Sequence, residues 1–464
     1  MLIFKSICFL LLWMTKKINR DHAQKKHHPL MENEAIADHL SELLTPSIFN
    51  QEALFHHLGL RNRILNLSLM TAAILTLLWR NVPSVNELTR ILNREGFLWV
   101  NVTKVSQKAL SDRFLTFPSI LFEQVLKELL PKLKQRWQNR SNRPLPDSVC
   151  FALTKFSHIW IIDGSTLEAL FRKLDSLKDI PTGKLAGKMA VVMDLVTRLP
   201  VEIWVEENPS ISDLKFEKNI LNLVKSKTLL LLDRGFYHFE FWQKLINQNI
   251  DFITRIKKGA SLVILKRFTH SHDLKDSLIN IGCGQNGTTI ITLRLIEIRS
   301  KTKWHSYLTS VIDPHVLPPH VVANLYGKRW RIEEAFNTVK RLLGLSYLWT
   351  GSLNGIKLQI WGTWLFYGVL IDLGDAVAEE LSLPFDSISL EMIYRGLYHF
   401  IVAYNKGETK DVVKYFSAEE NRDLGIIKRE RKPRMKLIIA PFPDEGKNLG
   451  QLFFENPLTP CFSP

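Results

Sequence analysis

The chain has 464 residues, 46% of them hydrophobic and 23% charged, a composition that fits a folded globular protein and excludes a disordered or fibrous one. Lys and Arg number 61 and Asp and Glu 46, so the formal net charge is +15; this indicates a polyanionic partner such as nucleic acid, although a merely basic surface explains it equally well. The four cysteines, Cys8, Cys150, Cys283 and Cys461, form no CxxC pair, which argues against a zinc site or a disulfide framework and fits a reducing cytoplasm.

The first 31 residues form a segment of their own. Residues 7–14 are an apolar run, but a helix that crosses a bilayer needs about 20 such residues. Lys16 and Lys17 follow the run, where a signal peptide would have small residues for cleavage. We expect residues 1–31 to be a basic and apolar extension that does not fold, and we expect no membrane-spanning segment.

Residues 32–138 are predicted to be helical throughout. Apolar residues recur there every three or four positions, and Ser84 followed by Glu87 has the pattern of a helix capping box. Two interpretations stay open for this region: a DNA-binding domain and a plain helical bundle. The polar, proline-containing sequence that follows predicts a linker at residues 139–150.

Short apolar runs typical of strands begin after residue 157. The runs 159–163 and 228–233 each end in an acid, and residues 188–206 have the pattern of a hairpin that turns at Thr197 and Arg198. Helices are predicted at 211–224 and 238–247, and a strand at 251–256. This order predicts a mixed α/β sheet that begins with a three-stranded meander.

The rest of the chain divides into four segments. Residues 257–312 are rich in β-branched residues and predict a β-rich insertion. One long helix is expected at 319–343, and apolar helices at 357–404. Residues 428–436 contain six basic residues, which predicts either a solvated tail or a contact with a phosphate backbone.

Two of the predicted strands end in candidate catalytic acids. Asp163 is followed by Gly164, and Asp233 is followed by Arg234 and Gly235. Either acid alone would be an ordinary turn residue. On neighbouring strands, however, their carboxylates would lie close together, which is costly unless cations neutralise them.

The predicted helix at 319–343 supplies a third acid. Tyr326, Arg329, Glu333 and Lys340 are separated by 3, 4 and 7 positions. At about 100° per residue they fall within an arc of roughly 60°, beside a stripe of apolar residues. Such a stripe also occurs on an ordinary amphipathic helix. Together with Asp163 and Asp233, however, Glu333 completes a set of three carboxylates that can hold two divalent metals for phosphodiester chemistry.

The sequence resembles the DDE transposases of the insertion-sequence-four family, whose mark is the spacing Tyr-x2-Arg-x3-Glu-x6-Lys. The four residues of the helix match that spacing, and the DGST and DRGFY sequences at Asp163 and Asp233 resemble the two acidic blocks of the family. The resemblance implies a ribonuclease-H-like mixed-sheet core at residues 151–375 with its β-rich insertion at about 257–312. An all-helical domain would precede this core, and a helical region with a basic tail, 376–464, would follow it.

The resemblance also implies roles for single residues. Asp163, Asp233 and Glu333 would be catalytic and would bind two Mg²⁺ or Mn²⁺ ions. DNA phosphates would be held by the other three residues of the signature, which are Tyr326, Arg329 and Lys340. Trp304, late in the insertion, would stack on a flipped base, although a core tryptophan is an equal expectation there.

The implied activity is cleavage at the terminal inverted repeats of an insertion sequence and joining of the 3′-hydroxyl to target DNA. The implied assembly is a homodimer, in the cytoplasm of a bacterium and associated with its nucleoid. Two alternatives stay open. One is a ribonuclease-H-like metal-dependent nuclease without strand transfer, and the other is an inactive DNA-binding derivative, such as a repressor that uses residues 84–115. The intact set of acids argues against the second alternative, and the Tyr-Arg-Lys stripe argues against the first.

Overall fold

The computed structural model describes residues 34–80, 82–167, 187–208, 211–282, 290–301, 303–345 and 352–428. The predicted extension at residues 1–31 lies outside this part of the chain, as does all but the first residue of the basic run 428–436.

Helices form the first described region, as the spacing of apolar residues predicts. They are α1 (Glu34–Phe49), α2 (Glu52–His57), α3 (Leu67–Trp79), α4 (Val85–Arg94), α5 (Gln107–Thr116), α6 (Ser119–Gln138) and α7 (Asp147–Leu153). The predicted cap of α4 is confirmed, because Ser84 Oγ accepts a hydrogen bond of 3.2 Å from the Glu87 backbone N–H. Helix α3 has no charged residue and is buried almost all round.

A nine-stranded sheet is the centre of the described structure. Its strands are β1 (His158–Thr166), β2 (Lys188–Asp194), β3 (Pro200–Glu206), β4 (Thr228–Leu232), β5 (Asp251–Arg255), β6 (Leu262–His270), β7 (Leu274–Ile281), β8 (Ile291–Ser300) and β9 (Lys303–Thr309). Their spatial order is β3-β2-β1-β4-β5-β9-β8-β7-β6. Strands β1 to β3 form the predicted antiparallel meander, and β4 and β5 continue the sheet parallel to β1.

The β-rich insertion extends this sheet. Strand β9 pairs antiparallel with β5, so the four inserted strands continue the sheet on the side of β5. The outermost strand, β6, has two register irregularities against β7, one between Ile264 and Lys266 and one between Arg267 and Thr269. Val263, Ile264 and Leu265 are exposed along this edge.

Helices cover both faces of the sheet. On one face, α8 (Glu217–Leu223) and α9 (Phe239–Asn247) bury an aromatic core in which Trp242 stacks on Phe252 with ring centroids 5.3 Å apart. The other face carries the helices that follow β9, together with most of the N-terminal helices, in one continuous core. The sheet is therefore the middle of three layers.

The long helix predicted at 319–343 is not continuous, and this prediction was wrong. The chain forms α10 (Pro319–Gly327), α11 (Trp330–Asn337) and a π turn (Thr338–Leu342). At the junction the backbone N–H groups of Arg329, Arg331 and Ile332 donate to the carbonyls three residues earlier. Gly327, a poor helix former, precedes the break, and the tighter hydrogen bonds turn the chain there.

The last described region is helical. It comprises α12 (Leu353–Glu380), α13 (Leu390–Asn405) and α14 (Val412–Ser417). Helix α12 is buried along most of its length and packs between α6, α3 and the sheet. A search of the described helices for one that is both long enough and apolar enough to cross a bilayer finds none.

Ion pairs tie the segment after α6, predicted as a linker, to α12. Arg140 contacts Asp372 at 2.8 Å and Asp375 at 2.7 Å, and Arg143 also pairs with Asp375. All four side chains are largely buried. The segment is therefore held against α12 over this stretch.

Candidate active site

The two candidate acids lie side by side. Strands β1 and β4 are parallel with Ile162 opposite Leu232, so Asp163 and Asp233 occupy neighbouring positions across the two strands. The predicted strand end at Asp163 was wrong, because β1 stays paired with β2 as far as Thr166, whereas Asp233 directly follows β4 and is the N-cap of a 3₁₀ turn (Arg234–Phe236). Asp163 is buried, with 7% of its surface exposed. Each carboxylate accepts a hydrogen bond from a following glycine: Asp163 from Gly164 N–H at 2.8 Å and Asp233 from Gly235 N–H at 3.5 Å.

Arg329 gathers all three candidate acids. Its Nη1 lies 2.9 Å from Asp163 Oδ2 and 3.7 Å from Glu333 Oε1. Its Nη2 lies 3.5 Å from Asp233 Oδ1. Arg329 is the N-cap residue of α11, and Glu333 lies in the first turn of that helix. Residues far apart in sequence therefore converge on one guanidinium.

The charges of this cluster affect the pKa of Asp163. Burial raises the pKa of Asp163 to about 7; Arg329 opposes this rise, and the nearby Asp233 and Glu333 add to it. Arg329 is a single cation among three acids. The cluster thus has more negative than positive charge, and additional cations would stabilise its ionised form.

The donors suit divalent metals chemically, because they are carboxylate oxygens, the ligands that Mg²⁺ and Mn²⁺ prefer. Among the described residues, no group of three His, Cys, Asp or Glu side chains is arranged closely enough to hold a metal as it stands. Arg329 lies between the three acids, which accounts for their separation. Metal binding at these acids would require the guanidinium to move aside.

The other two signature residues lie next to the acids. Tyr326 packs against Tyr307 of β9 with ring centroids 5.5 Å apart, and burial raises its pKa to about 12, so its hydroxyl stays protonated. Lys340 extends from the π turn to the end of β1, where its Nζ donates to Ser165 Oγ and, at 2.7 Å, to the Thr166 carbonyl oxygen. Of the four signature residues, Arg329 and Lys340 thus contact β1 directly.

Glu334, the neighbour of Glu333, has different surroundings. Its side chain is exposed, and its charge acts on Arg331 and Lys428. Arg331 donates to the Leu195 carbonyl oxygen at 2.8 Å and contacts Asp386 at 2.5 Å. These contacts fix α11 on the side away from the acids.

Trp304 is half-buried in β9. Tyr307 belongs to the core that includes Tyr326 and Leu308 to the opposite core, so strand alternation places Trp304 on the face away from Tyr326. The Lys275 ammonium lies 4.5 Å from the centre of its ring. Its predicted stacking role stays a prediction.

Two residues near the acids were not identified from the sequence. Trp330, directly after Arg329, is 64% exposed, which is unusual for tryptophan. Its position beside the signature was the only available sequence signal. Asp213 lies against both Gly164 and Gly235, and no motif in the surrounding sequence indicates this.

Comparison with known proteins agrees with this geometry. Residues 155–367 match the family model of the transposase DDE domain, a range that contains all the acids of the cluster. A relative named "Putative transposase y4zB", from Sinorhizobium fredii (strain NBRC 101917 / NGR234), is 23% identical over 223 residues, which cover 44% of this chain. The chain spans 60% of the length of that relative. Over residues 155–367 the chain is therefore similar to transposase DDE domains, and in the structure these residues belong to a mixed α/β region.

Proposed function

We propose that this protein is the transposase of an insertion sequence, of the insertion-sequence-four type. It binds the terminal inverted repeats of its element, hydrolyses phosphodiester bonds at the ends and joins the freed 3′-hydroxyl to target DNA. The observation that carries the proposal is the convergence of Asp163, Asp233 and Glu333 on Arg329. The signature spacing from Tyr326 to Lys340 and the match to the transposase DDE domain support it.

The sheet supports a ribonuclease-H-like core at residues 151–375. An antiparallel meander, β1 to β3, is followed by β4 and β5 parallel to β1. In our proposal, residues 32–138 bind DNA, and residues 376–464 are the region that follows the catalytic core. The protein acts as a homodimer, because two element ends must be held together, and it works on the bacterial nucleoid.

The three acids would hold two divalent ions, which when bound would activate the attacking hydroxyl and stabilise the leaving oxygen. The chain itself binds and orients the DNA. The guanidinium of Arg329 can donate two hydrogen bonds to a phosphate, and the ammonium of Lys340 provides a positive charge. The protonated hydroxyl of Tyr326 donates a hydrogen bond to a phosphate oxygen. The same acids would serve hydrolysis first and joining second, with water and then the 3′-hydroxyl as the attacking group.

Labelled DNA that carries the ends of the element tests the proposal. The purified protein is mixed with this DNA, a target plasmid and Mg²⁺, and cleaved and joined products are separated on a gel. We expect both products from the wild-type protein and neither from Asp163→Asn or Asp233→Asn, with end binding retained. Cleavage without joining would favour the nuclease alternative. Intact end binding without cleavage would favour the inactive DNA-binding derivative.

A further inference from the structure

Asp213 lies between Gly164 of β1 and Gly235 of the 3₁₀ turn that follows β4. It opens a short 3₁₀ segment (Asp213–Phe216) between β3 and α8. A Cβ atom on Gly164 would overlap Asp213 Oδ1, and a Cβ atom on Gly235 would overlap Asp213 Oδ2. The Asp213 carboxylate thus lies against both glycines. Gly164 directly follows Asp163, and Gly235 lies two residues after Asp233.

Lys188 of β2 holds this carboxylate in place. Its Nζ lies 2.7 Å from Asp213 Oδ1 and donates at 2.7 Å to the Ile211 carbonyl oxygen. The Lys188 side chain is 11% exposed and that of Asp213 20%. The pair is therefore largely shielded from water and anchored to the sheet, so the carboxylate has little freedom to move away from the glycines.

We propose that Asp213 is a positioning residue of the active site, whose carboxylate, held by Lys188, sets the separation of Asp163 and Asp233. Each of these acids accepts a hydrogen bond from the backbone N–H of its neighbouring glycine, so a shift of the backbone at either glycine shifts the carboxylate. Catalytic groups must be held within about 0.5 Å of their productive geometry, and one carboxylate that contacts both backbone segments meets that demand. The inference rests on the proposed function in one respect, that these acids bind metal.

A purely structural ion pair would stabilise the protein without affecting metal binding. The test is therefore a Mn²⁺ titration, followed by the electron paramagnetic resonance of free Mn²⁺, with and without end DNA. The double variant Asp163→Asn/Asp233→Asn gives the baseline for other Mn²⁺ sites. The test variants are Asp213→Ala, Asp213→Asn and the pair Asp213→Ala/Lys188→Met, which leaves no unpaired charge. Glu217→Gln is the matched control, because Glu217 is a similarly shielded carboxylate in the same segment whose ion pair, with Lys244 at 2.7 Å, does not involve the two glycines.

We expect each Asp213 variant to bind Mn²⁺ at least about tenfold more weakly than the wild type, and Glu217→Gln to bind it normally. The weakening should persist in the double variant, whose melting temperature shows whether it is folded. Normal Mn²⁺ affinity in any folded variant that lacks the Asp213 carboxylate would overturn the proposal, as would a wild-type protein that binds no Mn²⁺ above the baseline. If Asp213→Ala or the double variant fails to fold, the volume-conserving Asp213→Asn decides.

The outcomes also separate this inference from the proposed function. A wild-type protein that binds Mn²⁺ in an Asp213-dependent way but cuts no DNA would remove the transposase proposal and leave the positioning role. If the wild-type protein cuts element ends and the Asp213→Ala variant binds Mn²⁺ and cuts equally well, the transposase proposal stands and the positioning role of Asp213 is removed.

Discussion

Two adjacent glutamates on α11, Glu333 and Glu334, differ in their exposure and in the charged groups that they face. Glu333 lies 3.7 Å from Arg329 and acts on the charge of Asp163. Glu334 is exposed and acts on Arg331. The sequence predicts the same difference: at about 100° per residue, Glu333 falls within the arc of the signature residues and Glu334 falls outside it. The prediction assumed one continuous helix, whereas the helix is broken before these two residues.

The pair gives a matched test of the catalytic assignment. Glu333→Gln should lower Mg²⁺-dependent cleavage at least about 100-fold, because the site loses a charged metal ligand, whereas Glu334→Gln should change it less than about threefold. The measurement is the initial rate of end cleavage by protein of equal folded concentration. An inactive Glu334→Gln with an active Glu333→Gln would show that the register of the motif is wrong.

Asp163 should make the stability of the metal-free protein depend on pH. Its folded-state pKa is raised to about 7, whereas an unfolded aspartate titrates near about 3.9. Its contribution to stability is therefore complete below the unfolded value and is lost as the pH rises through the folded one. Asp163→Asn removes this titration. In EDTA, the wild-type melting temperature should fall relative to that of the variant as the pH rises from about 4 to about 7, and the difference should level off above about pH 8.

A difference in melting temperature that stays constant over this pH range would contradict the raised pKa. Addition of Mn²⁺ at the higher pH should raise the melting temperature of the wild type and not that of the variant, because ligand binding stabilises only the form with the site.

The signature residues could be predicted from sequence because their spacing is local and fixed. Asp213 could not, because its contact with Gly164 and Gly235 depends on the order of strands in the sheet. A carboxylate at the start of a helical segment is also an ordinary capping residue, so its chemistry alone indicates nothing further.

At the scale of elements, the strands were predictable because a short apolar run bounded by turn residues is too short for most helices and therefore favours a buried strand. Strands β4 and β5 lie where their apolar runs predict them, and β1 begins at its predicted start but continues past Asp163 to Thr166. The break between α10 and α11 was not predictable from periodicity, because the apolar pattern continues across it. At the break, Arg329 contacts Asp163 and Asp233, and the apolar pattern contains no information on such contacts.

The strand β9 and the helix α11 each offer a tryptophan for base stacking. Trp304→Ala and Trp330→Ala therefore test which element reaches a flipped base. Stacking is worth roughly 1–3 kcal/mol per base, so loss of the stacking residue should slow cleavage by about fivefold or more while end binding changes little. The fluorescence of 2-aminopurine at the cleaved end reports the flipped base directly.

The two variants should differ in stability. Trp330 is 64% exposed, so its removal should leave the melting temperature nearly unchanged, whereas Trp304 is half-buried under Lys275. A Trp304→Ala variant that is less stable but cleaves at the normal rate per folded molecule would assign Trp304 to packing.

At the scale of the molecule, the N-terminal helices and the catalytic sheet share one core. Helices α3 and α6 pack on α12, and the same core reaches the sheet through α12. The ion pairs of Arg140 and Arg143 with Asp375 reinforce this contact. We infer that the regions before and after the predicted linker unfold together.

Arg143→Met tests this cooperativity. The Arg143 side chain is 3% exposed and that of Asp375 1%, so the variant leaves a buried carboxylate with one partner fewer. We expect a loss of about 3–5 kcal/mol in the free energy of unfolding, in a single urea transition followed by both fluorescence and circular dichroism. Arg422→Met, at a pair with 68% exposure, should cost less than about 1 kcal/mol. Two separated transitions would show that the regions are independent.

The outer edge of the sheet bears on the solubility of the protein. A flat strand with three consecutive apolar residues exposed, as in Val263 to Leu265, is a template onto which identical molecules can add strand by strand. In β6 the two irregularities twist the backbone out of register, and the exposed Lys266 and Arg267 place like charges on any second copy that approaches. The bulged, charged strand therefore ends the sheet, so that nine strands do not become the seed of a fibril.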